Sequence, residues 1–177
     1  MNLDQFLDLA ETRRSVRAYK PDPVPEPLLR DILDTARLAP SACNRQPWRF
    51  VVLRGPAAIR RLAPAYSRDW FLSAPVAIAV CVSPAEGWVR PYDARSYAFV
   101  DGAIAMDHLT LAAAAAGLGT CWIGAFDPAA AASVLALPDG WEIVAMTPLG
   151  YPSPESAPRV RSRNPLGQSI VRERWQA

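Results

Sequence analysis

Between Ser96 and Phe126 the chain reads SYAFVDGAIAMDHLTLAAAAAGLGTCWIGAF, and the interpretation of this stretch decides the architecture. Phe99, Val100, Ala103, Ile104, Met106, Leu109 and Leu111 recur at helical spacing and run into five alanines, so one long helix is predicted from Ser96 to Ala116. Gly117 and Gly119 close it, as glycine commonly does at a helix end. Small apolar residues cover most of its circumference, which predicts a helix buried between other elements. Thr120 to Ile123 then reads as a strand. The glycines of this region are not a dinucleotide fingerprint. That motif follows a strand and opens a helix, whereas these glycines close one, and Trp122 stands in the place of the third glycine. Gly124-Ala125, placed after a strand, instead offers an uncluttered backbone that a flat ring could approach closely.

Working outward, Phe6, Leu7, Leu9 and Ala10 form one face of a short helix from Asp4 to Thr12. Leu29, Ile32, Leu33 and Ala36 define a second helix from Glu26 to Ala39, with Pro27 tolerated in its first turn and Pro40 beyond its end. Arg49 to Arg54 reads as a strand stopped by Gly55-Pro56, and Val76 to Val82 as a fully buried strand, with one or two short helices between them. Pro128 to Leu137 is predicted as a helix and Trp141 to Leu149 as a strand. From Tyr151 the sequence loses any period and carries Pro152, Pro154, Pro158 and Pro165. It is expected to form an extended arm stabilised by other surfaces. No repeat or linker interrupts the 177 residues, 51% of them hydrophobic, so a single domain spanning 1–177 is expected.

Charge excludes some classes of function. Nineteen basic and 17 acidic residues nearly cancel, which does not describe a nucleic-acid or membrane-surface binder. Lys20 is the only lysine, and arginine is the better side chain for bidentate phosphate contact. The longest unbroken apolar run, Val76 to Val82, is seven residues. A helical span needs about 18, so no membrane span is expected. The opening MNLDQFLDLAE lacks the basic and apolar regions of a secretory signal, which points to a cytoplasmic protein. Cys43, Cys81 and Cys121 are too widely spaced for C-x-x-C metal chemistry and odd in number for paired disulfides, so they read as ordinary thiols with no metal site.

Three further segments carry chemistry. In RRSVR, Arg13, Arg14 and Arg17 surround Ser15, and arginines this close repel one another unless an anion or carboxylates sit among them. Read alone, such a loop is a solvated basic turn. In APSACNRQPWRF, Pro40 and Pro47 fix the backbone while Ser41, Asn44 and Gln46 present groups that both donate and accept hydrogen bonds. A helix cap and polar turn explains Ser41 but not the whole string. In RVRSR, Arg159, Arg161 and Arg163 alternate, so an extended chain points them to one side.

Taken in order, RRSVR, PSACNRQPW, GLGTCWIGAF and RSRNPL make the chain resemble the nitroreductase family of FMN enzymes over nearly its whole length. The resemblance implies an α+β fold: a central, mostly antiparallel sheet flanked by helices. It also implies a homodimer that exchanges an extended C-terminal arm, residues 151–177, with two FMN sites at the subunit interface. Arg13, Ser15 and Arg17 would meet the FMN phosphate, ribityl chain and pyrimidine side, with Arg14 adding a main-chain or ribityl contact. From the other subunit, Pro40, Ser41, Ala42 and Asn44 would line the flavin, and Gln46 would support their loop. Trp122, Ile123, Gly124 and Ala125 would run along the isoalloxazine, with the N–H of Gly124 or Ala125 near its reactive nitrogen. Arg161 and Arg163 would close on the phosphate, and Ser67 is the candidate for a polar pyrimidine contact.

The implied activity is an oxidoreductase with tightly bound FMN, NAD(P)H as electron donor, and a nitroaromatic, quinone or enone as acceptor, working by a ping-pong cycle. Reductive dehalogenation, flavin breakdown and azoline oxidation are alternatives found among proteins similar to this one, and a low-turnover flavin-binding protein is another. The chain is compact between Ser83 and Ser96, where longer family members insert a helical excursion over the substrate face. Trp88, Tyr92 and Tyr97 could shape an entrance there or simply pack. His108 reads as a packed or interface residue. No side chain stands out as a protein acid, so the catalytic residues are unassigned.

Overall fold

The computed structural model describes residues 1–156 and 162–175. Its centre is a four-stranded sheet made of β1 (Trp48–Arg54), β2 (Val76–Val82), β3 (Gly119–Thr120) and β4 (Glu142–Gly150). The order is β1-β2-β4-β3, and every pairing among these strands is antiparallel. The α+β class with an antiparallel sheet flanked by helices is therefore as expected. Helices α2 (Glu26–Arg37) and α5 (Ala98–Ala115) cover one face of the sheet; α3 (Pro56–Arg60), α4 (Asp69–Leu72) and α6 (Pro128–Leu135) cover the other.

Strand β2 shows why both layers form. Side chains alternate along a strand, so Val76, Ile78, Val80 and Val82 enter the core under α2 and α5, while Ala77, Ala79 and Cys81 enter the core under α3, α4 and α6. All seven residues are buried. Each large aliphatic side chain so buried contributes about 1.5–3 kcal/mol, which anchors the middle of the sheet.

Several elements differ from the sequence reading, each for a local reason. Helix α2 ends at Arg37 instead of Ala39, because Pro40 disfavours helical angles at the residue before it. Helix α1 (Leu3–Thr12) forms with an Asn2 capping box, yet none of its residues is buried and Phe6 and Leu7 stay exposed. Strand β3 is two residues long where four were expected. Cys121 would pair with Pro148, which has no N–H to donate, and the Cys121 N–H turns to Thr147 Oγ1 at 3.1 Å. Pairing resumes at Ile123, whose N–H and carbonyl both bond Met146, at 2.9 and 3.0 Å.

Helix α5 is half buried, not enclosed. Asp101, Gly102, Ala105, Met106, Leu109 and Ala113 face the core, while Phe99 and Val100 are exposed and Ala103, Ile104 and Leu111 only partly covered. By length and composition α5 could cross a membrane, a property the run-length reading missed, but 44% of its apolar window is buried and it packs on the sheet as a core helix. A Cβ at Gly102 would lie 2.5 Å from Val82 and 2.8 Å from Val144, so this glycine lets the helix press onto β2 and β4.

Candidate functional site

The basic segment lies extended along β3. Ser15 bridges Thr120 in parallel, and the Val16 N–H donates to the Thr120 carbonyl at 2.8 Å. Val16 turns inward and is 2% exposed; its alternate neighbours Ser15 and Arg17 are exposed on the other side. Gly119 permits this close approach, since a Cβ there would meet Val16 at 2.7 Å. Further along, the Lys20 N–H donates to the Tyr151 carbonyl and the Ser153 N–H to the Ala18 carbonyl, so the start of the tail closes the other side of the segment.

Charge converges here on one buried thiol. Burial pushes the Cys121 thiol up, while the Arg17 charge, a hydrogen bond with Ser15 and the Arg13 charge each pull it back. Burial also raises the Tyr19 phenol, reinforced by Cys121 and opposed by Arg17 and Arg14. Its hydroxyl donates to the Val16 carbonyl at 2.6 Å. The Arg14 guanidinium donates to Ser156 Oγ at 3.1 Å, and that hydroxyl lies 3.4 Å from the Arg17 N–H. The Arg17 guanidinium sits 5.9 Å from the centre of the Trp70 ring. Among the described residues no carboxylate forms an ion pair with Arg14 or Arg17.

At the far end of the adjoining segment the surface opens. Trp122 is 41% exposed, Gly124 and Ala125 are exposed, and a Cβ on Gly124 would touch nothing within 4 Å. Ile123 is 4% exposed and spends both backbone groups on Met146, so it braces the segment from the core. A cavity of about 420 Å³ adjoins Gly124, walled by Phe99, Phe126 and Trp141.

The loop of Pro40 to Gln46 is braced and strained. Cys43, Asn44 and Gln46 have φ of 51°, 53° and 50°, the left-handed region that side chains resist at about 1–3 kcal/mol each. Ser41 Oγ accepts the Gln46 N–H at 2.9 Å, and Gln46 Nε2 reaches the Asn44 carbonyl and Oδ1 at 3.2 and 3.1 Å. Gln46 thus braces the loop from within. The Ala42 N–H donates to Asp101 Oδ1 at 3.0 Å.

The family model for the nitroreductase family matches residues 10–71 and 64–151. The chain belongs to this family. It is 35% identical to an NADH dehydrogenase of Thermus thermophilus, covering 84% of this chain and 87% of the relative. It is 34% identical to a 5,6-dimethylbenzimidazole synthase of Rhodospirillum rubrum, over 83% of this chain and 82% of that one. Its fold matches the crystal structure of a nitroreductase family protein from Clostridium difficile 630 with a TM-score of 0.88 and 33% identity, covering 99% of this chain and 100% of that one. As a nitroreductase family member the chain is an oxidoreductase.

Within this nitroreductase-family chain, the sequence-predicted residues fall into two groups. Arg13, Arg14, Ser15 and Arg17 lie at the β3 edge beside the Gly150 end of β4. Pro40, Ser41, Ala42, Asn44 and Gln46 precede β1, at the opposite edge, where Trp48 pairs Val82 and Val82 pairs Glu142. Seven residues of strand and three strand spacings separate these corners, on the order of 25 Å. Arg163 is exposed and donates to the Ser162 carbonyl at 3.2 Å; Arg159 and Arg161 lie outside the described residues. Among the described tail residues, Ser156 meets the basic segment at Arg14 and Arg17.

Other candidates are placed more simply. Trp88 and Tyr97 pack edge to face at 5.2 Å, Tyr92 is exposed, and no helix interrupts residues 83–97. Ser67 is exposed just ahead of α4, whose Trp70 faces Arg17. His108 Nδ1 lies 3.1 Å from the Ile104 carbonyl and lines an apolar cavity between α1, α2 and α5. The three cysteines are free, and among the described residues no His, Cys, Asp or Glu cluster could hold a metal. Sequence reasoning missed Asp101, Trp70 and Ser156. Only Asp101 left a signal, as a carboxyl group set within the apolar run from Phe99 to Ile104.

Proposed function

We propose that this chain is a homodimeric FMN-dependent oxidoreductase that passes electrons from NAD(P)H to a small organic acceptor such as a nitroaromatic, quinone or enone. The observation carrying this reading is the Ser15–Thr120 bridge, which sets Arg14 and Arg17, without a carboxylate ion pair among the described residues, at one end of a segment whose other end, Gly124-Ala125, is open. A phosphate at the first end and a flat ring along the second fit those two environments. Bound FMN supplies the redox chemistry, accepting hydride from the nicotinamide and passing electrons to the acceptor.

The protein's own groups bind and orient. Arg13, Arg14 and Ser15 hold the phosphate and ribityl side and Arg17 the pyrimidine side, with Arg161 and Arg163 closing from the tail. Charge-assisted hydrogen bonds make guanidinium the fitting donor there. The backbone at Trp122, Gly124 and Ala125 lies along the ring, and Ile123 keeps that backbone straight from within the core. Arg17 also stabilises negative charge on the pyrimidine side. Pro40, Ser41, Ala42 and Asn44 line the flavin from a second copy. This arrangement is supported by the separation of the two corners, a distance one flavin does not bridge, and by the apolar outer face of α5. A two-fold dimer brings one copy's loop to the other copy's basic segment.

The absence of a helical lid over residues 83–97 supports an open site serving small acceptors in turn. The Rhodospirillum rubrum relative supports a second reading, in which the same fold runs a specialised reaction. An absorption spectrum of the purified protein tests the flavin reading. Bands of bound oxidised flavin, lost as NADH or NADPH is added and recovered with a quinone, are expected. Colourless protein that takes up no added FMN overturns it, and flavin that reduces but does not turn over with any acceptor moves the assignment to a low-turnover flavin protein.

A further inference from the structure

Asp101 stands in the first turn of α5, is 2% exposed, and has a role no motif announced. One carboxyl oxygen accepts the Ala42 N–H at 3.0 Å; the other, Oδ2, is buried without a hydrogen-bond partner among the described residues. A buried polar group left half satisfied costs free energy, so its place calls for a compensating use. The group cannot drift away, because Gly102 clamps this turn against Val82 and Val144. Across the bond stands the strained loop, with three left-handed side-chain-bearing residues between Cys43 and Gln46. Strain of that kind persists only where the surroundings over-determine it. The braces from Ser41 and Gln46 are internal to the loop; the Asp101 bond ties it to the rigid core.

We infer that Asp101 is a positioning residue: through the Ala42 N–H it holds the Pro40–Gln46 loop in the form that lines a flavin. The inference rests on the flavin reading above. Asp101 is 2% exposed and acts on the site through the loop. Its effect falls on the ring and ribityl contacts of the loop, and so bears equally on FMN and riboflavin. The basic segment, by contrast, discriminates between them.

Three variants test it. Asp101→Ala removes the acceptor, Asp101→Asn keeps one, and Ala42→Pro removes the donor while leaving the core untouched. Ser41 has φ −139° and ψ 155°, the extended backbone that a following proline requires. Amide hydrogen exchange is measured on folded apoprotein across residues 40–47, with affinities for FMN and riboflavin by fluorescence titration. Asp101→Ala is expected to speed exchange at Ala42 by about 10-fold or more with β2 unchanged, and Asp101→Ala and Ala42→Pro to weaken both flavins by about 10-fold. Asp101→Asn should return both readouts to within about threefold of wild type. Wild-type protein that binds FMN, beside Asp101→Ala and Ala42→Pro variants that bind it equally well, overturns this inference alone. An Asp101→Asn variant as impaired as Asp101→Ala also overturns it. Wild-type protein that binds no flavin overturns the reading beneath it.

Discussion

Arg17 has an aromatic neighbour in Trp70 and no carboxylate ion pair among the described residues, which leaves its charge available to the pyrimidine side proposed for it. The proposal sets Arg13 on the phosphate instead, and a charge-assisted contact contributes about 1.5–3 kcal/mol, so Arg13→Ala is expected to weaken FMN by about 10-fold to 100-fold. Riboflavin should lose far less. Fluorescence titration of both ligands separates a missing phosphate contact from general damage, which would weaken both alike. Cys81 makes a different prediction. Burial pushes its thiol up to about 12, from an ordinary value near 9. Between those values the unfolded chain releases a proton that the folded one keeps. The stability that the neutral thiol contributes is therefore complete below pH 9 and lost as pH rises toward 12, with a slope on the order of 1 kcal/mol per pH unit. Denaturant midpoints measured from pH 8.5 to 11 should fall less steeply in Cys81→Ala than in the wild type. Equal slopes would remove Cys81 as the cause.

Helix α5 joins the two halves of the proposed site, because its first turn holds the loop and its end leads into the segment that packs on Val16. Its inner face needs close approach at Gly102. Gly102→Ala would push a methyl group into Val82 and Val144, and overpacking of this kind costs about 1–3 kcal/mol. For a domain of this size each kcal/mol lowers the melting temperature by about 2–4 °C. A thermal melt of Gly102→Ala within 1 °C of wild type would show that the helix can shift freely. The outer face was legible as apolar but not as outward-facing. Composition shows that Phe99, Val100, Ala103 and Ile104 want burial; it does not show that their own chain leaves the first two exposed and the other two only partly covered.

At the scale of the whole molecule, the tail and the outer face of α5 pose the same question of what covers them. Residues 162–175 are exposed throughout, including Leu166, Ile170, Val171 and Trp175, the last at 83%. Residues 152–156, by contrast, belong to their own chain through Tyr19, Ala18 and Arg14. Truncation after Ser156 therefore removes the rest of the arm while keeping the bonds of Arg14, Ala18 and Tyr19 to residues 152–156. The expected product is folded protein that no longer forms a stable dimer, as read by light scattering on a sizing column. A truncated chain that remains a dimer with full FMN affinity overturns the exchanged arm. Steady-state rates with NADH and a quinone are expected to give parallel double-reciprocal lines, since both substrates would use one open face. Intersecting lines would require a ternary complex and two separate places to bind.

The sequence by itself determined most of the helices and strands and marked the candidate segments, and its resemblance to the nitroreductase family supplied the class of fold. Periods of two and 3.6 residues, proline and glycine stops, and clustered arginines are local properties, and local properties are written in adjacent residues. It also excluded a dinucleotide crossover, because the order of strand, glycines and helix is itself sequential. The tertiary structure alone decided that Val16 packs on Gly119, that Asp101 reaches across 59 positions to Ala42, and that Pro148 and Thr147 cut β3 short. It alone put RRSVR and PSACN at opposite corners of the sheet. Each of these depends on which residues meet after the strands have paired and the helices have docked. Register and docking are set by the sum of many weak contacts over the whole chain, and no window of neighbouring residues contains that sum.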